Sequence, residues 1–166
     1  VLINSANTLQ LDFLKDNTYN VDACLWIGDV GITGINAVAD ILAGNVNPSG
    51  SLVDTYCYDN MSSPAMANFT PVTYEGYTEE LIPEKAKSYM VYQEGIYVGY
   101  KYYETRYEDT VMGTGNAGSY VYSDDVAFPF GYGLSYTDFE YSDMTGVYDA
   151  ATDSYNFNVT VTNTGD

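Results

Sequence analysis

The chain has 166 residues, enough for one or two small domains, and at 46% hydrophobic content it can bury a core, which excludes a disordered polymer. Against 23 acidic residues stand only 5 basic ones, a formal charge of -18 that excludes nucleic acid and anionic membranes as partners, because both need clustered Lys and Arg. Histidine is absent, so acid/base chemistry falls to carboxylates or tyrosine, and the commonest zinc ligand is missing.

In chain order, Val1-Leu2-Ile3-Asn4 reads as a buried strand entered midway, which implies polypeptide ahead of it. Asn7 or Thr8 can cap a helix running to about Lys15, with Leu9, Phe13 and Leu14 on one side. Residues 23–27 form a second apolar strand. Apolar positions 32, 35, 38, 39 and 42 repeat with the period of a helical face, and Gly44 stands where a helix stops. The turn Asn47-Pro48-Ser49-Gly50 leads into an extended segment at 52–55. Strand, helix, strand, helix, strand with short connections predicts parallel strands with right-handed crossovers.

From Tyr56 to about Met90 the periodicity fades and Pro64, Pro71 and Pro83 interrupt, predicting an irregular excursion on the surface of the α/β body. The tyrosine-rich stretch 94–103 reads as extended, and residues 113–118 as a flexible tip. Phe128-Pro129-Phe130-Gly131-Tyr132-Gly133-Leu134-Ser135-Tyr136-Thr137 is too irregular for a helix and reads as a connector wedged between two bodies. Beyond it, Tyr155, Phe157, Val159 and Val161 alternate with Asn156, Asn158, Thr160 and Thr162, the pattern of a strand with one wet face.

Four motifs in this order carry a resemblance: the run from Gly31-Ile32-Thr33-Gly34 to Gly44, Asn47-Pro48-Ser49-Gly50, Glu94-Gly95-Ile96-Tyr97-Val98-Gly99-Tyr100, and Phe128 to Thr137. Together they resemble the later part of the second domain of glycoside hydrolase family 3, the β-glucosidase and β-xylosidase family. Val159-Thr160-Val161-Thr162-Asn163-Thr164-Gly165 likewise resembles the opening of the fibronectin type III-like module that follows in many members. The implied fold is a partial α/β sandwich over residues 1–137, with its excursion at about 56–127, and then the first strands of an immunoglobulin-like sandwich over 138–166, cut short. The implied whole is a retaining, exo-acting β-glycosidase that acts on a β-linked glucoside or oligosaccharide at a site between this sandwich and a (β/α)8 barrel.

Retention needs two carboxylates about 5 Å apart. In the family the nucleophilic Asp comes from the barrel and the acid/base Glu lies ahead of the strand at which this sequence starts. No catalytic, cofactor or metal role is therefore assigned to any residue here, and the piece alone is expected to be inactive. Ile32 and Thr33 replace a frequent Gln-Glu pair, and Ser51-Leu52-Val53 a frequent Arg-Leu-Pro, so substrate choice does not carry over. The rival reading is a carbohydrate-binding or adhesion module using the tyrosine-rich acidic surface.

Several residues invite a sharper reading. Asp29, Asp40 and Asp54 sit near element ends, where α/β sheets bind ligands, with capping and solvation the preferred role. Glu94 could face a sugar, with structural hydrogen bonding the preferred role. Tyr97, Tyr100, Tyr102 and Tyr103 could stack on sugar rings, although nineteen tyrosines mostly signal packing. Arg106 reads as a surface pair with Glu104 and Glu108. Asp124-Asp125 lacks the spacing of a calcium loop. Cys24 and Cys57 read as buried thiols, with a disulfide between them left open. The sequons at Asn60, Asn68 and Asn158 bear only on a secreted eukaryotic protein.

Overall fold

A computed structural model describes residues 1–76, 78, 80 and 87–165; Pro83 and Asp166 lie outside the described residues. Contacts divide the chain into two units, one comprising Val1–Ile35 and Ser51–Tyr132, the other Asn36–Gly50 and the residues from Gly133 onward. Among the described residues no helix is long and apolar enough to cross a membrane.

In the first unit, β1 (Leu2–Ile3) pairs in parallel with β2 (Leu25–Trp26), Leu2 opposite Leu25 and Ile3 opposite Trp26. Flanking bonds from Leu25 N–H to Val1 O and from Ile27 N–H to Ile3 O extend the ladder, as the apolar runs predict. The helix expected over 8–15 is instead a single 3-10 turn at Asp12–Lys15. Burial decides this: the anchor is Leu11, 1% exposed, which lies off the predicted apolar face, and its N–H bonds to Cys57 O.

The expected third parallel strand is also different. The strand is β3 (Tyr56–Cys57), a few residues beyond 52–55, and it runs antiparallel to β6 (Val126–Phe128). Its two successive side chains point opposite ways. Tyr56 joins Ile3 and Leu11 in one buried cluster, while Cys57 joins Tyr103 and Val126 in another. Between β3 and β6 the chain makes the short helix α2 (Pro64–Ala67), with the Ser63 hydroxyl capping Met66 N–H, and a two-stranded ribbon of β4 (Val72–Thr73) and β5 (Ser88–Tyr89).

The stretch read as extended turns out to be a tight turn followed by the helix α3 (Tyr100–Met112). Gly99 begins it at φ 57°, ψ −132°, backbone that a side chain resists. The β propensity of tyrosine loses to helical packing: Tyr100, Tyr103 and Tyr107 recur at i, i+3 and i+7, and Tyr103 is 3% exposed. Their rings meet Phe130 (4.4 Å), the Cys57–Val126 cluster and Tyr122 (4.9 Å) respectively. Beyond the helix, the segment read as a flexible tip folds back so that Ala117 is 8% exposed. The short helix α4 (Tyr122–Asp125) then leads into β6.

In the second unit, the helix α1 (Ile35–Leu42), which begins at the division, buries Val38. The Asn47 side chain ties the turn to the connector, its Oδ1 accepting from Tyr136 N–H (2.9 Å) and Ser135 Oγ (3.1 Å), while the Tyr136 hydroxyl donates to Ile41 O. An antiparallel hairpin follows, β7 (Phe139–Asp149) with β8 (Ser154–Asn163). Its turn is closed by Asp149, which accepts from Ala151 N–H and Thr152 Oγ1. One bulge sets Asp143 and Met144 against Val159, with Asp143 at φ 52°. Tyr141, Tyr148, Tyr155, Phe157 and Val161 share one face, and Phe157 lies over Gly146, where a Cβ would stand 2.8 Å from its ring.

Candidate functional site

The first turns of α3 form one wall of an open cleft of about 330 Å³, which Gln93, Glu94 and Tyr97 join from the preceding turn, with Tyr102, Arg106 and Asp109 on the helix. Tyr97 N–H donates to Glu94 O and closes this turn. Glu94 is only 9% exposed, and among the described residues its Oε2 is sealed from solvent with no hydrogen-bond partner. At this oxygen the structural hydrogen bonding expected of Glu94 is not made.

Arg106 is not the surface ion pair its neighbours suggest. Its guanidinium lies 4.6 Å from the ring centroid of Tyr120 and 5.6 Å from that of Tyr102, and Nη2 donates to Ala117 O at 2.9 Å. Glu104 accepts from the Tyr122 hydroxyl at 2.6 Å instead. The sequence pairs i±2 neighbours, but on a helix these point to different sides. Arg106 Nε, like the Tyr120 hydroxyl, is buried without a partner among the described residues.

Behind the cleft the phenols are held protonated. Burial raises Tyr103, Tyr120 and Tyr122 well above the ordinary phenol range, with Cys57 adding at Tyr103, Asp125 at Tyr120 and Glu104 at Tyr122. Burial likewise pushes the Cys57 thiol up. Asp125 is raised by burial and then by Asp124, partly offset by Arg106 and Lys15. Burial thus holds these phenols and the thiol protonated near neutrality.

Of the other candidates, Tyr97 and Tyr102 reach the cleft, Tyr100 packs on Phe130, and Tyr103 is buried with its hydroxyl 2.8 Å from Ser62 Oγ. Asp29, Asp40 and Asp54 do not form a cluster. Each accepts locally, from Gly31 N–H, Asn45 Nδ2 and Thr55 N–H respectively. The Asp124 and Asp125 carbonyls accept from Lys15 Nζ and Tyr58 N–H. Cys24 and Cys57 are both free thiols. The amides of Asn60 and Asn68 donate to Thr8 O and Pro64 O, and Asn158 is exposed on β8. The pairing of Glu94 with α3 escapes the sequence reading, although Gly95 and Gly99, which bracket Ile96-Tyr97-Val98, mark the turn that creates it.

Residues 1–100 match the family model described as the glycosyl hydrolase family 3 C-terminal domain. The chain belongs to glycoside hydrolase family 3. Relatives agree along most of its length. A β-glucosidase of Ruminococcus albus is 32% identical over 142 residues, 86% of this chain and 12% of that protein. The solved β-glucosidase of Paenibacillus barengoltzii matches at a TM-score of 0.70 and 32% identity, covering 99% of this chain and 15% of that one. β-Glucosidase 3B of Thermotoga neapolitana, solved with α-D-glucose, matches at 0.68 and 32%, covering 99% and 19%. The family 3 chain described here thus spans less than a fifth of the relatives it matches.

Proposed function

We propose that this chain is a non-catalytic part of a retaining, exo-acting β-glycosidase that releases terminal β-linked sugars. In this reading it supplies one wall of the sugar site and the scaffold against which a (β/α)8 barrel docks. The catalytic nucleophile and acid/base lie in polypeptide outside these residues. The observation that carries the reading is the agreement with solved β-glucosidases over 99% of the chain, three of them holding glucose. The buried tyrosines suit it too, since phenols raised well above their ordinary range do not transfer protons at neutral pH.

Residues 1–137 belong, on this reading, to the α/β sandwich, and 138–166 open a fibronectin type III-like module. The apolar face of the β7–β8 hairpin supports the second assignment, because Tyr141, Tyr155 and Phe157 are each more than 60% exposed and await a covering sheet. The parallel β1–β2 pair counts against an all-β binding module. Hydrolysis of an aryl β-glucoside decides the matter. The full-length protein turns over and the 166-residue piece does not; activity in the piece, abolished by changing one of its own carboxylates, sinks the proposal.

A further inference from the structure

The α3 cleft holds an electrostatic demand that its own residues leave unmet. Glu94 is 9% exposed, and its sealed Oε2 has no partner among the described residues. A buried carboxylate oxygen without a partner is a costly arrangement for a fold. Among the described residues Arg106 is the one basic residue lining the cleft, and its guanidinium is engaged by Ala117 O and the rings of Tyr120 and Tyr102. Asp109 adds a second carboxylate to the lining. Two acids against one committed cation, on a chain of net charge -18, repel an anion. A neutral hydroxyl could accept or donate there yet would leave the charge uncompensated. A cation answers both needs, and Tyr97, 46% exposed, offers a ring face along which a cationic side chain can lie.

The openness of the cleft suits an inserted side chain better than an enclosed small molecule, and Ile96 (73% exposed) and Val98 (51%), the chain neighbours of Tyr97, leave apolar surface uncovered. The chain is 12% of the R. albus enzyme's length, so that relative carries extensive polypeptide outside the matching segment. We propose that this cleft is a docking socket: a Lys or Arg side chain from the same protein's polypeptide outside residues 1–166 inserts with its charge on Glu94 and its stem along Tyr97. The socket rests on the reading of this chain as part of a longer family 3 protein.

The test is a structure of the full-length protein together with unfolding measurements on it. The expected structure has a basic nitrogen from a residue outside residues 1–166 within about 4 Å of the Glu94 carboxylate. Glu94→Gln then lowers the folding equilibrium constant by about a hundredfold or more, the scale of breaking a buried pair. Glu94→Lys combined with an acidic residue at the partner position recovers stability that either change alone removes. Finding Glu94 open to solvent, or occupied by a sugar or ion, overturns the socket, as does wild-type stability in Glu94→Gln. Aryl β-glucoside hydrolysis by the same preparation separates the two readings. Turnover without the contact removes the socket alone, and the contact without turnover removes the glycosidase alone.

Discussion

The two units solve opposite halves of the folding problem. In the first, β3 contributes only two residues to its strand pair, yet Tyr56 and Cys57 are 5% and 3% exposed and each anchors a cluster. In the second, β7 and β8 run for 11 and 10 residues with a single register shift, yet Phe157 is 65% exposed and Tyr141 71%. Regular backbone and buried surface are thus separable. The hairpin satisfies its hydrogen bonds locally, while the first unit gathers side chains from distant points of the chain and needs little ladder to do so.

The contrast is broken or sharpened by substitution. The largest effect belongs to Leu11→Ala, which empties the most buried side chain and is expected to cost about 2–5 kcal/mol in urea melts of the full-length protein. Gly99→Ala comes next, at about 1–3 kcal/mol, because it forces a side chain into φ 57°, ψ −132° and sets its Cβ 3.3 Å from Asp54 Oδ1. Wild-type stability in that variant would show that the turn ahead of α3 relaxes freely.

A smaller effect of opposite sign is expected at Asp125. Its folded pKa is raised above the unfolded value, so its favourable contribution is present below the ordinary carboxylate range and is lost as pH rises through the folded value. Asp125→Asn therefore melts higher than wild type at pH 7, and the gap closes on acidification; a gap independent of pH rules out this account. The smallest effect is Phe157→Ala in the 166-residue chain, within about 0.5 kcal/mol as for other exposed positions. Repeated in a chain that includes the following strands, the same substitution costs about 3–5 kcal/mol if the exposed face is covered there.

What the sequence disclosed follows the same division. The alternation from Tyr155 to Val161 is a local signal, and β8 appears where it predicts. The parallel pairing of β1 with β2 follows from two apolar runs. Helix α3 was hidden because each tyrosine favours a strand taken singly, and only the i, i+3, i+7 recurrence of Tyr100, Tyr103 and Tyr107 together with the αL stop at Gly113 reveals the turn of a helix. The antiparallel β3–β6 pair joins residues some seventy positions apart, about which local pattern is silent. The cleft was half legible: Glu94, Tyr97 and Tyr102 were visible as candidates, but Arg106 was assigned to neighbours it does not meet, because side-chain direction depends on the helix that the sequence reading missed.

The bulge at Asp143 and Met144 has a consequence for which changes of length this strand can absorb. Tyr141 and Gly146 are five positions apart, an odd step that would send them to opposite sides of a regular strand, yet both face the same way because the extra residue resets the alternation. Removing Asp143 restores an even step and lets the ladder run straight with every aromatic still aligned, so the hairpin should tolerate that deletion. Removing Val147 instead leaves the bulge in place and turns the segment before it inside out, carrying Phe139 and Tyr141 to the threonine-lined side. At this point of the chain, losing a letter is gentler than losing its neighbour four places on.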